Sequence, residues 1–469
     1  MLAKAKGHAA LILLATSLFV ILAVGLAYTL RNPNGETPDL KYSGHASSPA
    51  DSNTTVYPEE CEEGEDGPVD LSCLLTEEQH AAVAVNMQKE HLVLNSSMTE
   101  DRQRFLLDFR EQDSYNPNII PHPYRDDTWF IIAQRSKNTD DNARFYDELV
   151  CKAQFVNNSM KCDMSPLSLP IAATVSPDCH EDLEYFNDWV GPHDARVFHG
   201  PDKPYIIYGS QSNFNCLGLW IQDFRRIVDW GSDIVADPTQ RFFWPTNLQR
   251  PPPYNRIEKN WFVFWDCDGE MYLHHDLTPQ RVFTLLHNDG SVGENLAPAA
   301  EASDVKCMDK LMPKLLPTKL EWIHQATNSL LVTMCERSDP SCEATPDNTY
   351  LMFMFQVKTF YMHGMYEPYI MMFKQTPPFE VHGISSDPFW YSGRGEANGT
   401  WVQGGPMPKD QSEMIFTVAF AWKEQGLTYH GYLDDKLFIT FGIEDARSGA
   451  IDVLAKDLLS NIALCDDVK

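Results

Sequence analysis

Apolar and aromatic runs, each broken by Gly, Pro or Asp, recur over most of the chain. Four of them are residues 128–134, 195–210, 260–275 and 416–443, and a further apolar segment covers 369–373. Such runs with internal turn residues predict antiparallel hairpins. Because hairpin follows hairpin at irregular intervals, the pattern is compatible with β-propeller blades of about four strands that carry insertions. We therefore expect a mainly β fold.

Several shorter segments have patterns typical of helices. Residues 76–79 have the form of a capping box, which begins a helix expected to reach about Leu94. Residues 100–112 also have helical character, and a helical insertion is expected over 303–328. A C-terminal amphipathic helix is predicted by apolar residues three and four positions apart, namely Ile451, Leu454, Leu458 and Ile462.

The amino-terminal region predicts a membrane anchor. Residues 9–30 carry no charged side chain, and a helix of that length at 1.5 Å per residue crosses a hydrocarbon core of about 30 Å. Lys4 and Lys6 precede it and Arg31 follows, so the positive-inside rule predicts a type II orientation with a lumenal body. A cleaved signal peptide is the alternative, although its apolar region is normally shorter. We expect residence in the Golgi or another secretory-pathway membrane.

Composition then divides the rest of the chain. Residues 31–60 are rich in Pro, Gly, Ser and Asn and predict a flexible stem. The expected organisation is a cytosolic tail over 1–8, an anchor over 9–30, the stem over 31–60, a helical extension over 61–125 and a β body over 126–469.

Charge excludes one class of partner. The 469 residues include 37 Lys and Arg against 66 Asp and Glu, a formal net charge of −29. Binding to nucleic acid depends on basic patches that release counterions, and no dense basic run occurs. Hydrophobic residues make up 43 % and aromatics 12 %, which suits a large β core or a sugar-binding surface.

Cysteines and glycosylation motifs agree with a lumenal body. The 11 cysteines form no CxxC pair, so disulfides in an oxidising compartment are their natural use. The nearby candidates are Cys61 with Cys73, Cys151 with Cys162, and Cys335 with Cys342, and the odd number leaves at least one thiol unpaired or intermolecular. Four Asn-x-Ser/Thr motifs predict glycosylation at Asn53, Asn95, Asn157 and Asn398.

The first candidate site is the segment GPHDARVF, residues 191–198. Asp194 and Arg196 alternate at the start of a predicted strand and therefore share one face. The carboxylate is a candidate proton-transfer group, and the guanidinium is a candidate ligand for phosphate or carboxylate oxygens. Alternatively, the pair only holds a loop.

Two further motifs follow in the segment 258–268. Lys259 offers a point charge for phosphate, and Trp261 offers either a surface for a sugar ring or a core side chain. Asp266 and Asp268 form a DxD element of the kind that holds a divalent metal. Asp268 precedes Gly269 between two apolar runs, however, and this pattern favours a hairpin turn over a metal site.

Polar clusters also interrupt the later strands. His363 and Tyr366 precede the apolar strand at 369–373, and His430 and Asp434 lie in a similar break. Each could line one end of a propeller, although a lone histidine is more often structural. The chain lacks GxSxG, HExxH and any Gly-Lys dipeptide, which sets aside serine hydrolases, zincins and P-loop proteins.

In order, these segments resemble a known family. GPHDARVF is similar to the strand start of five-bladed-propeller enzymes acting on mannosides, including bacterial β-mannoside phosphorylases, and EKNW resembles the basic strand start of the next blade. The segments at 361–390 and 431–445 resemble the later blades. With a type II anchor, the chain most resembles the fungal β-mannosyltransferases, over roughly residues 125–445.

The resemblance implies a role for each matching position. Asp194 would be the proton-transfer carboxylate and Arg196 its companion, with Ala195 where the family has proline. The remaining implied donor- and substrate-binding residues are His193, Lys259, Asn260, Trp261, His363, Tyr366, His430 and Asp434.

The activity implied is transfer of mannose from GDP-mannose to a mannoside acceptor. Inversion to a β-linkage would require Asp194 as general base, with cationic residues stabilising the departing diphosphate. No cofactor is then required, unless the DxD element holds a metal. Two alternatives stay open: phosphorolysis or hydrolysis of a β-mannoside on the same fold, with Asp194 as acid, and a glycan-binding protein without catalysis.

Overall fold

The structure is a computed structural model, and it describes residues 90–136, 145–231, 237–315, 321–361, 363–395 and 412–468. Strands dominate these residues and helices are few, so the prediction of a mainly β fold is confirmed. The expected anchor, the stem and most of the helix opened by residues 76–79 lie outside the described residues. The expected end of that helix near Leu94 is wrong, because Leu92–Leu94 is a strand. None of the helices found within the described ranges is long and apolar enough to cross a bilayer.

Most of the described strands form five antiparallel units that follow one another along the chain. The first contains β3 (Ser114–Pro121), β4 (Trp129–Arg135), β5 (Glu148–Val156), β6 (Ser159–Cys162) and β7 (Leu167–Ser168). The second contains β8 (His193–His199), β9 (Pro204–Gln211), β10 (Leu217–Asp223) and β11 (Thr246–Asn247). The third contains β12 (Phe262–Trp265), β13 (Met271–Asp276) and β14 (Val282–Leu285).

The last two units are built around longer strands. The fourth contains β15 (Glu321–Gln325), β16 (Leu330–Thr333), β17 (Thr349–Tyr361), β18 (His363–Lys374), β19 (Val381–Ser385) and β25 (Ile462–Leu464). The fifth contains β21 (Ile415–Trp422), β23 (Lys436–Ile443) and β24 (Arg447–Leu454).

Strands from distant parts of the sequence connect these units. β2 (Phe105–Asp108) pairs with β24 on one side and with β6 on the other, so it joins the fifth unit to the first. β22 (His430–Tyr432) pairs with β16, and β1 (Leu92–Leu94) pairs with β20 (Phe389–Tyr391). The first strands of three units also pack together, because β3 contacts both β8 and β21.

The predicted hairpins agree with the observed strands. Segment 128–134 falls in β4, 195–210 in β8 and β9, and 260–275 in β12 and β13. Segment 416–443 contains most of β21, β22 and most of β23, and segment 369–373 lies in β18. In each case the apolar run supplies residues that are buried in the sheet.

The predicted helices agree less well with the structure. The segment 303–328 contains most of α1 (Glu301–Leu311), but its end forms β15. The predicted helix over 100–112 is wrong, because β2 lies there and pairs with two other strands. The predicted C-terminal amphipathic helix is also wrong: β24 ends at Leu454, the helix α2 spans only Ala455–Leu458, and β25 follows. Short 3-10 turns cover Glu181–Asp188, Phe224–Arg226, Ala297–Ala299 and Cys465–Val468.

The largest hydrophobic core lies among the second to fifth units, and smaller cores join the first unit to its neighbours. Disulfides add covalent links between the elements. The predicted pairs Cys151–Cys162 and Cys335–Cys342 are confirmed, and Cys179–Cys216 and Cys307–Cys465 are also formed. Within the described part of the chain Cys267 is a free, exposed thiol. The expected Cys61–Cys73 pair lies outside that part.

Candidate functional site

Four units begin their first strand at the same end, and polar residues lie at or just before these starts. Asn116 lies near the start of β3, Asp194 lies near the start of β8, and Lys259 precedes β12. The register pairs the start of β21 with the end of β23, so the turn that carries Asp445 is at this end as well. The fourth unit adds Lys358 from β17. We call these five residues the Asp194 site.

The backbone at Asp194 departs from a regular strand. Its φ of 51° is in the left-handed region, and the β8–β9 register shifts between His193 and Arg196. The Asp194 N–H donates to Oε1 of Gln134 at 3.1 Å, instead of entering the sheet ladder. This bulge turns the carboxylate away from the regular alternation of the strand.

Two buried side chains hold the next residues in place. The Ala195 N–H donates to Oε1 of Glu148 at 3.1 Å. Asn118 donates from Nδ2 to the Ala195 carbonyl at 2.8 Å and accepts the Val197 N–H at 2.9 Å. The N–H of Ala195, which a proline would lack, therefore has a partner. The absence of proline at this position does not leave the backbone unsupported.

Glu148 is fully buried and unusual among the acidic residues. Burial raises its pKa to about 8, and the charge of Asp194 adds to the rise, although the Ala195 N–H opposes it. Its second oxygen, Oε2, has no hydrogen-bond partner among the described residues. At neutral pH the group is therefore mostly protonated, directly behind the Asp194 backbone.

The Asp194 carboxylate faces an amide and an ammonium group. Nδ2 of Asn116 donates to its Oδ1 at 3.0 Å, and Nζ of Lys259 lies 3.7 Å from its Oδ2. About a third of the Asp194 side chain (33 %) is exposed. Burial raises the pKa of Asp194, but the charges of Lys259 and Arg196 outweigh this effect and leave the pKa below its ordinary value. Asp194 is therefore ionised and accessible.

The close approach of Asn116 depends on a glycine. A Cβ added at Gly442 would collide with Oδ1 of Asn116, so this β23 position has no room for a side chain. The left-handed φ of Asn116, 53°, is one that asparagine tolerates better than most residues. Both features fix the amide that contacts Asp194.

Arg196 is placed differently from what the resemblance implies. Its Nε donates to the Ala326 carbonyl at 2.9 Å, Nη1 to the Asp194 carbonyl at 2.8 Å, and Nη2 to Oδ1 of Asn260 at 2.9 Å. The side chain is buried. Arg196 and Asn260 therefore bind protein groups and position the turn, and their expected role in binding the donor stays a prediction.

A second acidic group and a second cation complete the site. Asp445 is exposed, in the β23–β24 turn with a left-handed φ of 46°. The pKa of Asp445 is raised to about 6, first by loss of hydration and then by the charge of Asp194. The charges of Lys358 and Lys259 oppose this rise. The pKa of Lys358 is lowered by burial, although Asp445 opposes this.

Aromatic rings form a wall beside these charges. Tyr366 contacts Phe416 edge to face at a centroid distance of 5.1 Å and stacks with His324 at 5.9 Å. Nζ of Lys358 lies 5.6 Å from the Tyr366 ring centroid. Burial, followed by the nearby Lys358 charge, lowers the pKa of His324 to about 3, so this histidine is neutral. Tyr366 is itself buried, and its expected contact with a sugar stays a prediction.

Other residues predicted for the site lie elsewhere or have different neighbours. Trp261 is buried in the core against His275, so its proposed contact with a sugar is corrected. His430 pairs with Thr333 at 2.7 Å, and Asp434 accepts backbone N–H groups of the 337–338 turn. These contacts place His430 and Asp434 apart from Asp194, which corrects their expected role.

Two more histidines have separate outcomes. His193 is buried beside Asp194 and packs against Tyr146, with ring centroids 4.2 Å apart, and against Trp189 at 5.6 Å. His363 begins β18, but its side chain lies outside what the structure describes.

The DxD element forms a hairpin turn. Asp266 accepts the N–H groups of Asp268 and Glu270 and the hydroxyl of Tyr272 at 2.9–3.0 Å. Gly269 has the positive φ of 83° that this turn requires. No group of three or more metal-ligating acidic, His or Cys side chains occurs in the described ranges. The oxygens of Asp266 are therefore used by the turn itself.

The expected glycosylation motifs are partly described. Asn95 and Asn157 are exposed, and Asn157 lies in the β5–β6 turn. Asn53 and Asn398 are outside the described residues.

Sequence reasoning missed Lys358, Asp445, Glu148 and His324. Glu444 and Asp445 look like ordinary turn residues between two apolar strands, and Lys358 is one polar residue in a long strand. For Asp445 the available signal was its position at the end of segment 431–445, which resembles a later blade, whereas Lys358, Glu148 and His324 lie outside the matched segments.

Two half-open cavities in the described part of the chain are lined by residues outside the Asp194 site. One is lined by residues of α1 and the adjoining loops, including Arg281 and Met308, and the other by Leu94, Arg102 and Asp457. No residue of the Asp194 site lines either cavity.

Comparisons with known proteins give weak structural likenesses. No protein-family model and no curated protein sequence matches the chain. Among solved structures, a β-1,2-mannobiose phosphorylase from Listeria innocua is 10 % identical, with a TM-score of 0.41, and the match covers 76 % of this chain and 94 % of that one. A glycosyl hydrolase from Bacteroides ovatus is also 10 % identical, with a TM-score of 0.39 and coverages of 76 % and 90 %. The catalytic domain of a GH62 α-L-arabinofuranosidase from Coprinopsis cinerea is 10 % identical, with a TM-score of 0.36 and coverages of 75 % and 96 %.

Proposed function

We propose that the five antiparallel units are the blades of a five-bladed β-propeller and that the chain is a glycoside-cleaving enzyme acting on β-mannosides. The observation that carries the activity is the pair of carboxyl groups with opposite pKa shifts, Asp194 and Asp445, in one site. Two such groups are what cleavage of a glycosidic bond requires. The sequence resemblance to mannoside-active enzymes supports the choice of sugar.

The five-bladed arrangement is supported by topology. Each unit is an antiparallel set, and β2 completes the last one from the start of the described chain. Residues from all five units meet at the Asp194 site, as expected if their first strands surround one axis.

In this mechanism Asp445 donates a proton to the oxygen of the departing sugar, since its raised pKa keeps a proton available near pH 6. The C–O bond breaks as water or phosphate attacks the anomeric carbon from the other side. With water as the nucleophile, Asp194 accepts its proton. With phosphate, Lys259 and Lys358 offer positive charge for its oxygens. Tyr366 and Phe416 would contact the sugar, and we expect no metal to be required.

The test uses the full-length protein with β-mannobiose, with and without inorganic phosphate, and with EDTA present throughout. Mannose without mannose 1-phosphate shows hydrolysis, and equal amounts of mannose and mannose 1-phosphate show phosphorolysis. Asp194→Asn should abolish hydrolysis, for which Asp194 accepts the proton of water, whereas Asp268→Asn, a change in the exposed turn, should retain full activity. Undiminished hydrolysis by Asp194→Asn, or no product from the unmodified protein, would refute the proposal.

The role of Asp445 has a separate test. An aryl mannoside with a strongly acidic phenol as leaving group needs little protonation. Asp445→Asn should therefore lose most of its activity on β-mannobiose but keep most of it on such a substrate. Equal losses on both substrates would show that Asp445 is not the acid.

A second candidate function is transfer of mannose from GDP-mannose to a mannoside acceptor. The uncharged segment 9–30 favours it, because a membrane-anchored lumenal enzyme of the Golgi or another secretory compartment commonly builds glycans. Asp194 would then act as base toward the acceptor, with Lys259 beside the diphosphate. Release of GDP only when an acceptor is present would support transfer over cleavage.

A further inference from the structure

Two aromatic rings stack in the loops of the second unit. Phe214 lies in the β9–β10 turn and Tyr254 lies between β11 and β12, with ring centroids 5.7 Å apart and planes at 18°. Phe214 is 38 % exposed and Tyr254 is half-buried. An exposed aromatic face supported by a second ring is a flat apolar surface, complementary to the C–H face of a sugar.

The pair lies at the same end of the sheet as Asp194. His193 pairs with Gly209, so the β9–β10 turn that carries Phe214 follows directly from the start of β8. β8 is the strand that contacts neighbouring units, and β9 and β10 lie successively farther from it. Phe214 and Asp194 therefore lie at the same end of this sheet, with Phe214 farther from the neighbouring units.

The chain also connects Tyr254 with Lys259 over a short distance. Ile257 bridges to Leu217 at the start of β10, which directs this segment along the sheet end. The stretch from Tyr254 to Lys259 can span at most about 18 Å when extended. A saccharide of a few units could thus contact both ends of the segment.

Covalent and polar contacts hold the loops around the two rings. The Cys179–Cys216 disulfide fixes the β9–β10 turn, and Nδ2 of Asn215 donates to the Asn255 carbonyl at 3.0 Å. Glu258 accepts the Asn255 N–H at 2.9 Å and pairs with Arg250 at 3.2 Å. The rings are therefore held in place before any ligand binds, which lowers the entropy cost of binding.

Resting on the proposed function, we propose that Phe214 and Tyr254 form a subsite that binds a distal sugar ring of an oligosaccharide whose reacting bond lies at the Asp194 site. The substrate is then a mannoside chain longer than a disaccharide. A disaccharide would fill the Asp194 site without reaching Phe214.

The test compares kcat/KM for β-mannobiose and a β-mannohexaose of the same linkage. Phe214→Ala should lower the value for the hexaose about tenfold and leave that for the disaccharide within about twofold. Phe214→Trp keeps an aromatic ring at this position and should retain the kcat/KM of the unmodified protein for the hexaose. Trp244→Ala is the matched control, since Trp244 is 65 % exposed before β11, at the opposite end of the same sheet, and should change neither value.

Equal losses on both substrates, or no loss on the hexaose, would overturn the subsite. A direct measurement of hexaose binding distinguishes failure of the subsite from failure of the proposed function. If the unmodified protein turns over no β-mannoside, hexaose binding is measured by titration calorimetry. Binding that Phe214→Ala weakens about tenfold supports the subsite even then, whereas absent or unchanged binding refutes it.

Discussion

Replacement of Glu148 by glutamine should stabilise the protein in a pH-dependent way. Glu148 is completely buried, and its pKa is raised from 4.5 to about 8 by burial first and by the Asp194 charge in addition. Glutamine has the shape of the protonated acid and can still accept the Ala195 N–H through its carbonyl oxygen. The substitution therefore removes a titration without removing the hydrogen bond.

The sign follows from proton linkage. Between pH 4.5 and pH 8 the unfolded chain has an ionised Glu148 and the folded protein a protonated one, so unfolding releases a proton. The free energy of unfolding of the wild type consequently falls as pH rises through this range. Each pH unit is equivalent to about 1.4 kcal/mol, so Glu148→Gln should gain at most about 5 kcal/mol relative to wild type at pH 8.

Urea denaturation at a series of pH values from 4 to 9 measures this difference. We expect almost no difference at pH 4, a steady increase between pH 4.5 and pH 8, and a plateau above pH 8. Glu111→Gln, at an exposed position, is the control and should give a difference that does not change with pH. A constant difference for Glu148→Gln over the whole range would refute the reasoning.

Two other predictions follow from the same structure. Lys259→Met removes the ammonium 3.7 Å from Asp194 and should raise the pKa of that carboxyl, so activity on β-mannobiose should be lost at a higher pH on acidification. Lys259→Arg keeps the positive charge and should keep the pH–activity profile of the unmodified protein. An unchanged acid limb in the Met variant would contradict the contact. Asp452 is fully buried, and its hydrogen bonds with Ser96 and Ser97 outweigh the effect of burial and lower its pKa. Asp452→Asn should therefore cost about 3 kcal/mol of unfolding free energy at neutral pH. This loss should shrink as the pH falls below 3.8, the ordinary pKa of an aspartic acid. An equal loss at pH 3 would contradict the lowered pKa of Asp452.

The strands were predictable where local signals coincide. In segment 260–275, apolar residues on both sides of Asp268 and Gly269 predict the hairpin of β12 and β13. Segment 100–112 gave the wrong element, because its strand β2 is stabilised by pairing with β24 and β6, which are far away in sequence. At the C-terminus, apolar intervals of three and four residues occur by coincidence across a strand, a short helix and another strand.

The candidate site shows the same division. Asp194 and Lys259 belong to recognisable segments and do lie together. Arg196 and Trp261 belong to the same segments, yet one binds backbone carbonyls and the other fills the core, and residue type alone does not distinguish these roles. Asp445 and Lys358 approach Asp194 only through the assembly of different units, so no local pattern contains that information.

The position of β2 has a consequence for how the protein is made. Phe105 pairs with Ala450, which lies 345 residues later in the sequence, so this pairing can form only after the chain up to Ala450 has been synthesised. Closing so long a loop carries an entropy cost of roughly 5 kcal/mol, by the logarithmic dependence on length. Until then β2 can pair with β6, but its other edge has no partner and remains available to other chains. Chaperone protection of the nascent polypeptide should therefore matter most until β24 (Arg447–Leu454) has been synthesised.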